Sequence, residues 1–178
     1  MSDQLRGKTA VITGASRGIG AAVAQRFASE GANLAISART LDNHAILSGS
    51  LNETANLCRQ YGGHVEVIQA DLADEKSRAT IIPKAIEALG SVNILINNAG
   101  YALPNAFHEN SMEDEEKCLR VLGTSVIGLT KKYINDMIAN GGGKIMIVSS
   151  VAAFAPASSL QSLYGPVKTF MNRFSESL

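Results

Sequence analysis

The apolar run Ala10-Val11-Ile12 leads straight into Thr13-Gly14-Ala15-Ser16-Arg17-Gly18-Ile19-Gly20, and that stretch leads into the helix-like Ala21-Ala22-Val23-Ala24-Gln25-Arg26-Phe27. A short buried strand, a tight turn and a helix N-terminus leave unpaired backbone N–H groups and the positive end of a helix dipole aimed at one spot. Such a spot binds an anion, and a dinucleotide pyrophosphate fits it. Gly14 allows the tight turn, Gly18 lets a ligand approach the backbone, and Gly20 lets the helix pack closely on the strand. The spacing is T-G-x-x-x-G-x-G rather than G-x-G-x-x-G. For these glycines alone, a tight turn without a ligand is the competing reading.

Strand-like runs alternate with helical patterns almost to the end of the chain. Strands are expected at Thr9–Thr13, Asn33–Ala38, His64–Ala70, Asn93–Asn97 and Lys144–Ser149, with helices at about 18–30, 51–62, 74–89, 111–139 and 162–178. Strict βα alternation predicts an α/β fold, a Rossmann-type doubly wound parallel sheet covered on both faces. Right-handed crossovers make 3-2-1-4-5 the simplest strand order, with a site between strands one and four at the carboxyl ends. No repeat, low-complexity segment or linker divides the chain, so residues 1–178 are expected to form a single dinucleotide-binding domain.

Sixteen Lys and Arg balance sixteen Asp and Glu, so no global field draws the chain to nucleic acid or to an anionic membrane. No apolar run approaches the length of a membrane span, and the start is polar, which predicts a soluble, cytoplasmic protein. Cys58 and Cys118 are far apart and read as reduced thiols; His44, His64 and His108 are scattered without ligand spacing, and no metal site is expected.

Cofactor choice is read at the end of the second strand, Ser37-Ala38-Arg39. An acid there accepts from the 2′-hydroxyl of NAD, whereas a cation accommodates the 2′-phosphate of NADP. The chain has Arg39, no acid between Ile36 and Leu41, and a second cation, Arg17, in the glycine turn, so NADP(H) is favoured over two solvated arginines. The long connection 40–50 either folds over the adenosine end or is an idle surface loop, the latter being preferred. Asp71, at the end of strand three, either meets an adenine amino group or caps the next helix, as Asp74 does equally well. Asn97-Asn98-Ala99-Gly100 ends the fourth strand with small residues that let a flat ligand lie against backbone, although a plain turn explains them too. Glu113-Asp114-Glu115-Glu116 follows Ser111 at capping-box spacing and reads as the first turn of a long helix.

Tyr164 and Lys168 are four apart and share a helix face. A phenol ionises too high to exchange protons readily at neutral pH, and a neighbouring ammonium brings it closer to that range. Ser150 follows the fifth strand, where its hydroxyl can bond a carbonyl oxygen. The trio suits reduction of a ketone or aldehyde, or the reverse, with hydride from nicotinamide and a proton from Tyr164.

In their order and spacing, Thr13 to Gly20, Asn97 to Gly100, Ser150 and Tyr164 to Lys168 together resemble the short-chain dehydrogenase/reductase family, in its NADP-preferring branch. The resemblance implies an NADP-dependent oxidoreductase acting on a small carbonyl or alcohol. It implies Tyr164 as acid/base, Lys168 tuning it and holding the nicotinamide ribose, and Ser150 orienting substrate. Gly14, Ser16, Arg17, Gly18, Ile19, Gly20, Ser37, Arg39, Asp71, Leu72, Asn98, Ala99 and Gly100 would bind the cofactor, and Asn97 would brace the central strand. Homo-oligomers would form through the helices near 111–139 and 162–178.

Three departures qualify it. The family carries a catalytic Asn in the helix after N-N-A-G, and Leu119–Ser125 contains none, so Ser125 substitutes or turnover is impaired. Pro166 falls inside the catalytic helix, which is tolerable only if that helix starts within about a turn of Tyr164. Family members continue past the point where this chain stops, which implies a C-terminally truncated fold with its fifth strand as an open edge. The alternative function is therefore a non-catalytic nucleotide-binding or oligomerising short form.

Overall fold

The computed structural model describes residues 3–42, 48–156, 158 and 160–178. Five parallel strands form one sheet in the order β3-β2-β1-β4-β5: β1 Thr9–Thr13, β2 Asn33–Ala38, β3 Val65–Gln69, β4 Ile94–Asn97 and β5 Lys144–Ile147. This is the expected doubly wound order. Val11 pairs with Ala35 on one side and Leu95 on the other, which fixes the register across the centre.

Side-chain alternation along the central strands explains both helical layers. Ala10, Ile12, Leu34, Ile36, Ile94 and Ile96 pack with Ala24 and Ala28 of α1 (Gly18–Ser29) and with Leu51, Ala55 and Cys58 of α2 (Leu51–Arg59). Val11, Ala35 and Leu95 point the other way, into a layer made by α4 (Ile81–Leu89) and α6 (Ser125–Ala139). Both faces are buried, so the strands read as unbroken apolar runs.

Two expected helices are subdivided. The pattern over 74–89 is a short α3 (Glu75–Arg78) followed by α4, so that Pro83 falls in the first turn of α4, where its missing N–H costs no helical bond. The stretch 111–139 is continuous but changes register: α5 (Met112–Leu119) passes through a π turn at Arg120–Thr124 into α6. Ser111 caps α5, its Oγ accepting from the Asp114 N–H at 3.1 Å. The last helix, α7, runs Tyr164–Glu176, shorter than the expected 162–178. Among the described residues β5 has no strand on its outer side, and Met146 is half exposed there. His44, with the rest of 43–47 in the long connection, lies outside the described residues.

Candidate active site

The glycine turn and the end of β4 are locked together by one hydroxyl and one carboxamide. Thr13 Oγ1 accepts from the backbone N–H of Asn98 at 3.1 Å and of Ala99 at 3.2 Å, while Asn98 Nδ2 donates to the carbonyls of Thr13 (3.0 Å) and Gly14 (3.2 Å). The turn is packed so tightly that a Cβ on Gly14 would lie 2.7 Å from Ala99 Cα, and one on Gly20 would collide with the Gly14 carbonyl. Gly18 differs: its φ is +55°, and nothing lies within 4 Å of where a Cβ would be. It leaves the first turn of α1 open.

A cleft of about 610 Å³ runs along the carboxyl ends of the strands. Its wall brings together thirteen of the expected residues: Gly14, Ser16, Arg17, Ile19, Ser37, Arg39, Asp71, Leu72, Asn98, Ala99, Gly100, Tyr164 and Lys168. Gly20 is buried beneath the turn, and Gly18, although exposed, is outside the wall. Ser150 also lies outside it, with Oγ accepting from the Ala152 N–H at 3.2 Å to cap a 3₁₀ turn at Val151–Ala153. Tyr101, Val121, Val148 and Ser149 line the cleft without having been expected to. Tyr101 follows N-N-A-G directly, and the Arg39 guanidinium sits 6.0 Å from its ring centroid.

Arg17 reaches back to the long connection, donating to the Gly49 carbonyl at 3.1 Å. Its Nε is buried without a hydrogen-bond partner, an orphan donor beside the glycine turn. Asp71 spends one carboxylate oxygen on the Ala73 N–H at 2.9 Å, and Asp74 caps α3. Asn97 is buried and reaches Thr130 of α6 at 3.4 Å, joining β4 to its covering helix.

Lys168 is 5% exposed, and its Nζ donates to the Val148 carbonyl at 2.7 Å. Burial holds its ammonium below the usual lysine range. The Nζ lies 5.7 Å from the Tyr164 ring centroid. Because α7 starts at Tyr164, Pro166 is the third helical residue and α7 is not broken: the first helical bond runs from the Val167 N–H to the Leu163 carbonyl at 2.9 Å. The π turn presents Leu122 to this corner, with Cδ2 2.9 Å from where a Gly100 Cβ would be. Ser125 does not reach the cleft; its buried hydroxyl donates to the Val121 carbonyl at 2.7 Å.

The acidic run on α5 also departs from a solvated helix start. Glu115 is 1% exposed and accepts from Asn110 Nδ2 at 2.9 Å and from Ser162 Oγ.

A doubly wound parallel sheet with a glycine-rich first turn, and a Tyr and Lys one helical turn apart in the same cleft, defines a nucleotide-binding fold of the dehydrogenase type. Residues 8–178 match the family model for the short chain dehydrogenase, and the chain belongs to that family. It is 34% identical over 174 residues to an L-rhamnose 1-dehydrogenase (NADP(+)) of Thermoplasma acidophilum, covering 97% of this chain and 66% of that one. Among solved structures it is similar to the L-sorbose reductase of Gluconobacter frateurii complexed with NADPH and L-sorbose, at 30% identity and a TM-score of 0.88, over 99% of this chain and 65% of that one. It is also similar to a 7α-hydroxysteroid dehydrogenase complexed with NADH, at 31% identity and a TM-score of 0.86, over 97% of this chain and 64% of that one. The chain spans between 56% and 66% of the length of the curated relatives it matches.

Proposed function

We propose that this chain binds NADP(H) in the cleft and transfers hydride between it and a ketone, aldehyde or secondary alcohol. The observation that carries the reading is that Tyr164 and Lys168, on successive turns of α7, line the same cleft as the glycine turn and the Asn98–Gly100 backbone. A dinucleotide suits the residues present: the open first turn of α1 takes a pyrophosphate, and the orphaned Arg17 Nε with exposed Arg39 supplies donors for a 2′-phosphate. The relatives include proteins described with NADP(+), NADPH and NADH, so the preference for NADP(H) rests on the two arginines.

When bound, the nicotinamide supplies or takes the hydride at the substrate carbon. Tyr164 gives its phenolic proton to the carbonyl oxygen in reduction and takes it from the alcohol in oxidation, so charge balances in either direction. Lys168, fixed on the Val148 carbonyl, sets a cation beside that phenol and holds the nicotinamide ribose. Ser150, once released from capping the turn at Val151–Ala153, orients the substrate oxygen. Ser16, Gly18, Ile19, Gly20 and Ser37 belong to the phosphate and ribose end, Asp71 and Leu72 to the adenine.

The test is Tyr164→Phe, which keeps the ring and removes the proton. Turnover falls by about 10²–10⁴-fold while NADPH binding persists; equal turnover in both proteins contradicts the assignment. Leu122, in the helix where the family carries its catalytic Asn, favours a second reading, a nucleotide-binding chain without turnover, in which the parent has no activity to lose. Residues 1–178 form one dinucleotide-binding unit in this account, which pairs with a second copy through α6 and α7. Buried free Cys58 and Cys118 suit a reducing, cytoplasmic setting.

A further inference from the structure

The carboxylate of Glu115 is almost wholly buried, and among the described residues no cation pairs with it. Burying a carboxylate without a counter-ion is costly unless hydrogen bonds replace its water. The replacements are Asn110 Nδ2, at 2.9 Å from Oε1, and Ser162 Oγ, at 2.6 Å from Oε1 and 2.8 Å from Oε2, its single proton shared between the two oxygens. Helix capping does not need this group, because Ser111 already caps α5, its Oγ accepting from the Asp114 N–H and donating to the Asp114 carboxylate. Its partner Ser162 is 47 residues away and two before Tyr164.

The segment that Ser162 belongs to is otherwise strained. Gln161 has φ +67°, a left-handed conformation that is unfavourable for a non-glycine residue. Its carbonyl accepts the Tyr164 N–H at 2.8 Å, so this turn sets the direction in which α7 begins. An isolated antiparallel bridge between Ala106 and Leu160 is the neighbouring restraint. A strained turn persists only where surrounding contacts overdetermine it. One turn beyond Glu115, Cys118 joins Leu122, Leu163, Tyr164 and Val167 in a single apolar cluster, so the same face of α5 meets the start of α7.

We propose that Glu115 is a positioning residue for Tyr164: its carboxylate holds Ser162, fixes the strained turn at Gln161 and so places the phenol beside Lys168. The inference rests on the reading of Tyr164 as the acid/base group.

The experiment compares Ser162→Ala, Glu115→Ala, Glu115→Gln and the double alanine variant. Readouts are kcat and KM on a carbonyl substrate, the Kd for NADPH, and the resonance of Tyr164 in protein carrying ring-labelled tyrosine. The chain has four tyrosines, and Tyr164→Phe identifies the one that matters. Ser162→Ala and Glu115→Ala lower kcat by about 10- to 100-fold, leave the NADPH Kd unchanged, and move the Tyr164 resonance while the other three stay in place. Glu115→Gln retains an acceptor oxygen and recovers most of the loss. The double variant is no worse than the worse single variant, because both act through one contact. An unmoved Tyr164 resonance in folded Ser162→Ala, or additive losses in the double variant, overturns the proposal. Absence of turnover in the parent overturns the acid/base reading instead, and the Tyr164 resonance then decides the positioning role by itself. Should Glu115→Ala fail to fold, Ser162→Ala carries the comparison.

Discussion

Cys58 shows how strongly this core resists charge. It sits fully buried between α2 and the sheet, and burial raises its thiol from 9.0 to about 11, against a small opposing pull from Arg59. An unfolded chain releases this proton near pH 9 while the folded chain keeps it, so stability falls as pH rises from 9.0 towards about 11. Two pKa units correspond to about 3 kcal/mol. Buried Tyr133 and Cys118 act in the same direction, and Lys168, held below the usual lysine range, acts in the opposite one. Urea unfolding near pH 8 and near pH 10.5 shows a larger loss for the parent than for Cys58→Ala; equal losses in the two proteins refute the assignment. Single residues differ in how much of their structural use is local enough to be visible in the sequence. Gly14 and Gly20 are explained by the contacts their hydrogens avoid, and those roles were visible in the spacing. The structural use of Thr13, Tyr101 and Glu115 was not: each acts through a partner on another element, and Glu115 looked like one more acid in a helix cap.

Elements were legible in proportion to how local their causes are. β1 and β2 have the expected limits, because both faces are buried and the apolar runs are continuous. The break between α3 and α4 follows from Pro83, a local cause not weighed in the periodicity. The π turn at Arg120–Thr124 has no signal in the apolar pattern, since it adds a register shift without changing which residues are apolar. That shift matters, because it is what presents Val121 to the cleft and Leu122 to Gly100. The outer surfaces of α6 and α7 expose Ile127, Ile138 and Phe170. Apolar groups of this size on neighbouring helices suit burial against a second copy. Sedimentation of the parent shows a dimer or larger species, and Ile127→Glu with Phe170→Glu shifts it to monomer; a parent that is monomeric at all concentrations contradicts the pairing.

Across the whole molecule, the place of the cleft follows from strict βα alternation, which makes the strands parallel and puts their carboxyl ends on one edge, and the sheet order follows from right-handed crossovers. Thirteen expected residues meet there because the order 3-2-1-4-5 places the ends of β1 and β4 side by side. Ser150 stands apart from the wall for a local reason, the 3₁₀ turn that its hydroxyl caps. The cleft is formed by this sheet and α7 together, so cofactor binding is the property on which the functional account depends. A fluorescence titration of the purified chain with NADPH, run beside NADH and repeated on Arg17→Ala and Arg39→Ala, addresses it most directly. Saturable binding is expected, tighter for NADPH than for NADH, with that preference reduced in both arginine variants. Binding of neither nucleotide, or tighter binding of NADH by the parent, contradicts it.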